Sequence, residues 1–151
     1  MAETPHFRTF CDHDLTELDQ MIFALFQEDA HGEVMSHQKI HCTLQELLQH
    51  PEKGTITVFC VDEAVVGYAI VIYYWSNEYG GNIASIDEFY VKPSWRGKGI
   101  GTSFLEYVVA VKGDSVKGLQ LEVTPVNEQA FAYYCRRGFQ AAKNRHLFKK
   151  L

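Results

Sequence analysis

Long apolar runs are missing from this chain. The longest, Ala64 to Trp75, is about 12 residues with a glycine inside it, short of the roughly 20 that cross a bilayer, so no membrane partner is expected. The opening residues, Met1 to Arg8, lack the apolar core of a secretory signal, and a cytoplasmic protein is expected. Positive charge is scarce: 14 Lys and Arg stand against 19 Asp and Glu, a net charge of −5. That balance argues against nucleic acid or an anionic membrane, either of which needs a basic face, and it suits a small cationic ligand. Cysteines are few and scattered. Cys11, Cys42, Cys60 and Cys135 form no Cys-x-x-Cys pair, which fits reduced thiols rather than a disulfide frame. His37 and His41 share a helical face, but Gln-Lys-Ile between them supplies no further ligand; no metal is expected, and both read as surface or loop histidines. Repeats, low-complexity tracts and linker-like segments are absent, and 151 residues fit one domain, 1–151.

What is present is an ordinary globular balance, 46% hydrophobic and 22% charged. The aromatic residues of Tyr68 to Trp75 read as core. Phe7 to Phe10 alternates as a first strand. Asp12 or Asp14 then caps a helix through Leu15, Leu18, Ile22, Leu25 and Phe26, ending near Glu28 to Gly32. Thr43 and Glu46 read as a capping box that opens a short helix, Leu44 to Gln49. Thr55 to Val61 and Ala64 to Tyr74 form a hairpin about Asp62-Glu63, Ser76 to Asn82 a flexible loop, and Ile83 to Val91 a strand stopped by Pro93. A helix over Thr102 to Val111, a strand over Leu119 to Val123 and a helix over Asn127 to Arg137, ended by Gly138, follow. Phe139 and Arg145 to Lys150 read as closing strands. The fold class is α/β (α+β).

The segment with the most chemical content is Ile86-Asp87-Glu88-Phe89-Tyr90-Val91-Lys92-Pro93-Ser94-Trp95-Arg96-Gly97-Lys98-Gly99-Ile100-Gly101. Alternate glycines between a strand and a helix let backbone N–H groups converge, and the helix N-terminus adds partial positive charge, so the segment reads as an anion cradle. Arg96 and Lys98 add side-chain charge, and a pyrophosphate is the natural guest. A nucleotide P-loop requires Gly-Lys-Ser/Thr, which does not occur, and a dinucleotide fingerprint requires its third glycine one residue later than Gly101.

Arg96-Gly97-Lys98-Gly99-Ile100-Gly101, preceded by a strand ending Val-x-Pro, resembles the coenzyme A-binding Arg-x-x-Gly-x-Gly motif of the GNAT superfamily of acyltransferases. The flanks agree through Asn127-Glu128 and Tyr133-Tyr134-Cys135-Arg136-Arg137-Gly138-Phe139. The resemblance is close over about the last 90 residues, and the pattern is most similar to the diamine and polyamine (spermidine/spermine-type) branch. It implies a mixed, mostly antiparallel sheet of six to seven strands with helices on both faces, and splayed central strands that admit the pantetheine of acetyl-coenzyme A. Phe89, Tyr90 and Val91 would pair with pantetheine. Arg96, Gly97, Lys98, Gly99, Ile100, Gly101 and Thr102 would hold the pyrophosphate, and Asn127 would hydrogen-bond the cofactor arm. The implied reaction is acetyl transfer to a primary amine, with a small cationic amine such as a polyamine as acceptor. A peptide amine, or acyl-coenzyme A sensing without catalysis, are the other readings, and a homodimer is implied by analogy.

An alkyl amine with a lysine-like pKa of about 10 must lose a proton before it attacks. Asp87 and Glu88 alternate across their strand, so one of them is expected to face the acceptor and serve as base, the other reading being a carboxylate that only solvates the sheet surface. Tyr134, four residues before Gly138, is placed by the resemblance to protonate the departing thiolate, with Tyr133 packing beside it or exchanging roles. Backbone N–H groups near Tyr90 would polarise the thioester carbonyl. Cys135 has no histidine nearby in sequence and reads as core packing rather than as a nucleophile. Arg136 and Arg137 carry no assigned role.

Overall fold

The computed structural model describes residues 4–28 and 32–151. These fall into two compact units, residues 1–121 and 122–151. The first holds β1 (His6–Thr9), α1 (Leu15–Glu28), α2 (His37–Gln49), β2 (Gly54–Val61), β3 (Ala64–Ser76), β4 (Gly81–Val91), α3 (Ile100–Lys112) and β5 (Val116–Leu121); the second holds α4 (Glu128–Arg136).

Five strands form one sheet in the order β1-β2-β3-β4-β5. The first four are antiparallel neighbours, and β5 runs parallel to β4 after the crossover through α3. Helical periodicity decides which face each helix covers. Leu18, Met21 and Ile22 of α1 and Ile40, Leu44 and Leu47 of α2 pack with Ile56, Val58, Tyr68, Ile70 and Tyr90 on one face. Ile100, Phe104 and Val108 of α3 pack with Phe59, Val66, Val71 and Ile86 on the other. Phe104 is fully buried, with the rings of Phe59 and Phe89 at 4.8 and 5.8 Å.

The architecture is the expected mixed α/β layout with helices on both faces, and several element boundaries differ. Among the described residues the sheet has five strands rather than six or seven, because 139–151 contain no strand. Leu147 and Phe148 alternate poorly with their charged neighbours, and their side chains are exposed. Helix α2 begins at His37, with Ser36 as its cap: the Ser36 hydroxyl oxygen accepts from the Lys39 N–H at 3.2 Å. The apparent Thr43/Glu46 capping box lies inside this helix, where Thr43 Oγ1 donates back to the Lys39 carbonyl at 3.0 Å. The anticipated loop over Ser76 to Asn82 is a tight hairpin turn, with Gly80 at a φ of 64°. Tyr74 and Trp75 extend past the helix-covered part of the sheet and are exposed, unlike Tyr68. The expected end of α1, near Glu28 to Gly32, lies partly outside the described residues.

Entry into α1 is set by Asp14, which is 2% exposed. Its carboxylate accepts two hydrogen bonds from Arg8, at 2.7 and 2.8 Å, and one from the Cys11 N–H at 2.9 Å. The Arg8 hydrogen bonds hold its carboxyl below the usual range, against the opposing effect of burial. Such a carboxyl stabilises the fold above its unfolded pKa, and the contribution is lost as pH falls through the lower, folded value. Asp14→Ala, which removes both Arg8 hydrogen bonds and leaves the Cys11 N–H without its carboxylate acceptor, is expected to destabilise the protein by about 3 kcal/mol at neutral pH. Urea titration at pH 7 and pH 3 checks this, with the difference between wild type and variant shrinking at the lower pH.

Candidate active site

The glycines after β4 adopt the backbone that the cradle requires. Gly97 and Gly99 have φ of 74° and 80°, a region in which a side chain is strained. No atom lies within 4 Å of where a Cβ would stand on either, so the peptide surface is approachable. Gly99 is also the N-cap of the 13-residue α3 and offers no capping side chain, so an anion rather than a hydroxyl suits this helix start. Ile100 is buried and anchors the first turn. Lys98 Nζ lies 4.3 Å from the Trp95 ring centroid at the loop's edge. Arg96, expected to face the anion, is engaged elsewhere: Nε donates to the Val91 carbonyl at 2.8 Å, Nη2 donates to Glu28 Oε1 at 2.7 Å, and Cζ lies 5.4 Å from the Tyr90 ring centroid. Arg96 therefore ties the base of the loop to β4 and α1.

Strand β4 runs on past the end of β5. The parallel pairing covers Asn82–Ile86 against Val116–Leu121, and beyond it β4 pairs with β3 alone. β5 ends at Leu121, opposite Ile86, so Asp87 to Val91 have no strand neighbour on that side. The Lys92 N–H donates to the Val66 carbonyl at 2.8 Å, which sets the alternation: residues 88 and 90 direct their backbone groups to β3, and residues 89 and 91 direct theirs to the side where β5 has ended. The Arg96 bond to the Val91 carbonyl fits this register. Phe89 and the Val91 N–H thus present an open edge, with the Val91 carbonyl held by Arg96, whereas Tyr90, expected to pair with pantetheine, faces β3.

A β-bulge falls at the acidic pair. Glu88 stands opposite Ile70 and Ile86 opposite Val71, so Asp87 is the inserted residue, and it is exposed. Glu88 points to the α1/α2 face, into a tight cleft of about 20 Å³, room for about one water, lined by Leu18, Ile22, Met35, Ile40, Leu44 and Ile70. Burial raises its carboxyl above the usual range; the hydrogen bond from Tyr68 opposes that, and the charge of Asp87 adds to it. The Tyr68 hydroxyl donates to Glu88 Oε2 at 2.7 Å. No local signal points to Tyr68: it lies 20 residues away and meets Glu88 through the β3–β4 register.

In the second unit, Asn127 caps α4, its Oδ1 accepting from the Ala130 N–H at 3.1 Å. Gly138 has a φ of 90° just past the helix end, as expected. Tyr134 is half-buried, with the rings of Tyr133 and Phe139 at 5.2 and 5.5 Å. Burial raises its phenol above the ordinary value; Tyr133 adds to the rise and Arg137 opposes it. Tyr133 carries the Arg137 guanidinium 3.6 Å from its ring centroid. Cys135 is exposed, contrary to the core-packing expectation, because it lies on the outer side of α4.

Among the described residues no three His, Cys, Asp or Glu side chains cluster as metal ligands, and no helix is long and apolar enough to cross a membrane. His37 instead bonds Asp19 at 2.9 Å and packs edge-on to Phe23. A broader hollow lies on the outer side of α1, lined by Asp19, Phe23, Gln27 and His37. It is shallow, its carboxylate is already partnered, and neither the glycine loop nor the open edge of β4 lines it, so it is not the site.

The acetyltransferase (GNAT) family model matches residues 15–139. A thialysine N-epsilon-acetyltransferase from Bos taurus is 32% identical over 113 residues, 72% of this chain and 62% of that protein. The chain therefore spans about three fifths of the length of that relative. Two solved structures share the fold: a possible acetyltransferase from Clostridium difficile 630, with a TM-score of 0.82 and 24% identity over 99% of both chains, and the integron cassette protein HFX_CASS3 from the mobile metagenome of Cole Harbour Salt Marsh, with a TM-score of 0.80 and 28% identity over 96% of this chain and 90% of that one.

Proposed function

The chain belongs to the acetyltransferase (GNAT) family, and from that premise we propose that it transfers acetyl from acetyl-coenzyme A to a small primary amine such as a polyamine or thialysine, by direct attack. The observation that carries this reading is Glu88, a carboxylate on an otherwise apolar cleft, on the part of β4 that runs past the end of β5. An amine suits this carboxylate: its ammonium meets Glu88 at the mouth of the cleft, where there is room for about one water between them. Both units act as one domain, 1–151.

The co-substrate fits the residues present. Pantetheine amides pair with the backbone of Phe89 and with the Val91 N–H as a strand would, the Val91 carbonyl being held by Arg96. The N–H groups of Gly97 to Thr102 hold the pyrophosphate, with Lys98 beside them. Asn127 reaches the cofactor arm through its amide nitrogen while its oxygen caps α4. Glu88 takes a proton from the acceptor ammonium, and Asp87 adds attraction for the cation from the bulge. As the new C–N bond forms and the thioester C–S bond breaks, Tyr134 gives its proton to the sulfur; the second proton of the attacking nitrogen returns Tyr134 to its phenol through solvent, and Glu88 sheds the first to solvent as the products leave. Tyr134 holds this role by its place four residues before Gly138.

The protein works in the cytoplasm, as four free thiols suit. A second copy is its partner: β5 ends the sheet with one neighbour, and Leu147, Phe148 and Leu151 are exposed.

A thiol-release assay with acetyl-coenzyme A against polyamines, thialysine, aminoglycosides, amino acids and lysine peptides tests the reading. Turnover is expected with one class of small primary amines. Tight acetyl-coenzyme A binding without turnover across the panel would replace this reading with acyl-coenzyme A sensing, and turnover on peptides alone would replace the acceptor class.

A further inference from the structure

We propose that Tyr68 is the positioning residue for the Glu88 carboxylate: its phenol grips Oε2 from within the sheet and leaves Oε1 as the oxygen that meets the acceptor ammonium. The proposal rests on the reading of Glu88 as the base and extends it to a residue on a different strand. Tyr68 stands directly opposite Tyr90 on β3, and Glu88 opposite Ile70, so Tyr68 and Glu88 are diagonal neighbours on the α1/α2 face. The Tyr68 side chain is fully buried in the core cluster of that face. A buried phenol requires an acceptor, and the 2.7 Å bond to Oε2 supplies it. The bulge at Asp87 twists β4 at this point, which is a common device for re-aiming a side chain.

The surroundings leave Tyr68 as the group that controls this carboxylate. On β4 the neighbouring titratable groups are Asp87 and Tyr90, and on β3 the neighbour is Tyr68 itself. The cleft residues from α1 and α2 (Leu18, Ile22, Ile40, Thr43 and Leu44) carry no charge. Burial, followed by the Glu88 charge, drives the Tyr68 phenol far above its ordinary value, so it remains a donor across the whole working pH range. Glu88 is thus held by a donor that never titrates, in a cleft whose apolar walls oppose its charge.

The test is the pH dependence of kcat/KM for the best amine of the panel, in wild type, Tyr68→Phe and Glu88→Gln. Removing a hydrogen bond to the charged form raises a carboxyl's pKa. The acid limb of Tyr68→Phe is therefore expected to move up by about one pH unit, a loss of roughly tenfold on the limb that recovers on the plateau. A 13C titration of the Glu88 carboxyl should move in the same direction without reference to turnover. A uniform rate loss at every pH, or an unmoved limb and titration, would overturn the role of Tyr68. If Glu88→Gln keeps the wild-type acid limb, the base assignment fails and this inference fails with it. If Glu88→Gln abolishes the limb while Tyr68→Phe leaves it in place, only the inference about Tyr68 fails. Should Tyr68→Phe not fold, 3-fluorotyrosine at position 68, a stronger donor, is expected to move the limb down, and an unmoved limb would overturn the proposal.

Discussion

Replacing Glu88 with glutamine is expected to lower kcat/KM for amine acetylation by about 10²- to 10³-fold at neutral pH, the range for loss of a general base. The size of the deficit should depend on pH in a specific way. Near pH 7 a lysine-like amine is almost wholly protonated and needs an acceptor for its proton. As pH approaches about 10 the amine loses that proton to solvent, so the variant should close much of the gap. Stability should move the other way. The Glu88 carboxyl is raised above its usual range by burial, so between the unfolded and folded pKa values the native state holds more protons than the unfolded one. Stability therefore falls as pH rises through that window. A neutral amide does not bear that cost, and Glu88→Gln is expected to be at least as stable as wild type above the window. Initial rates from pH 6 to 10, with urea midpoints at pH 5 and 8, test both parts. A variant that is both slower and less stable would mark Glu88 as a packing residue.

The second large effect is expected in Tyr134→Phe, with kcat reduced by about 100-fold or more and affinity for acetyl-coenzyme A unchanged. Phenylalanine retains the ring that packs with Tyr133 and Phe139, so α4 should keep its place and only the hydroxyl is lost. Burial holds the phenol above its ordinary value of about 10. Tyr134 is therefore a protonated donor through the neutral range, and wild-type activity should decline only at strongly alkaline pH as the phenol ionises. In the variant that alkaline decline should disappear along with most of the rate. Isothermal titration with coenzyme A separates binding from chemistry, and wild-type kcat in the variant would remove Tyr134 from the mechanism.

The glycine loop was legible from sequence because its requirement is local: a positive φ at Gly97 and Gly99 calls for glycine at those positions. The hairpin about Asp62-Glu63 was legible for the same reason, with Asp62 at a φ of 52°. What escaped depends on partners far away in the chain. The start of α2 was obscured because His37, Gln38 and Lys39 are polar and lie ahead of the first buried residue, Ile40, while a Thr-x-x-Glu spacing further on imitated a cap. The strands expected at Phe139 and Arg145 to Lys150 had apolar residues but needed an edge to pair with, and residue pattern says nothing about edges. Asp87 and Glu88 were recognised as a pair, but the division between them is set by the bulge, which arises from the register of β3 against β4. Arg96 was assigned to the anion because the motif places it there, whereas its geometry is set by Glu28 and the Val91 carbonyl.

The unpaired edge of β4 beyond the end of β5 has an evolutionary consequence. The groups turned toward the open side at positions 89 and 91 are peptide groups, which every amino acid carries. The side chains at these positions serve a separate purpose, with Phe89 and Val91 packing on the α3 face. Drift at these positions is therefore constrained by the volume of the core and not by the identity of the molecule that enters the slot. A lineage can rewrite the acceptor cleft and repack the α3 side while the slot keeps its shape, so residue identity along this strand is a poor guide to which descendants retain it.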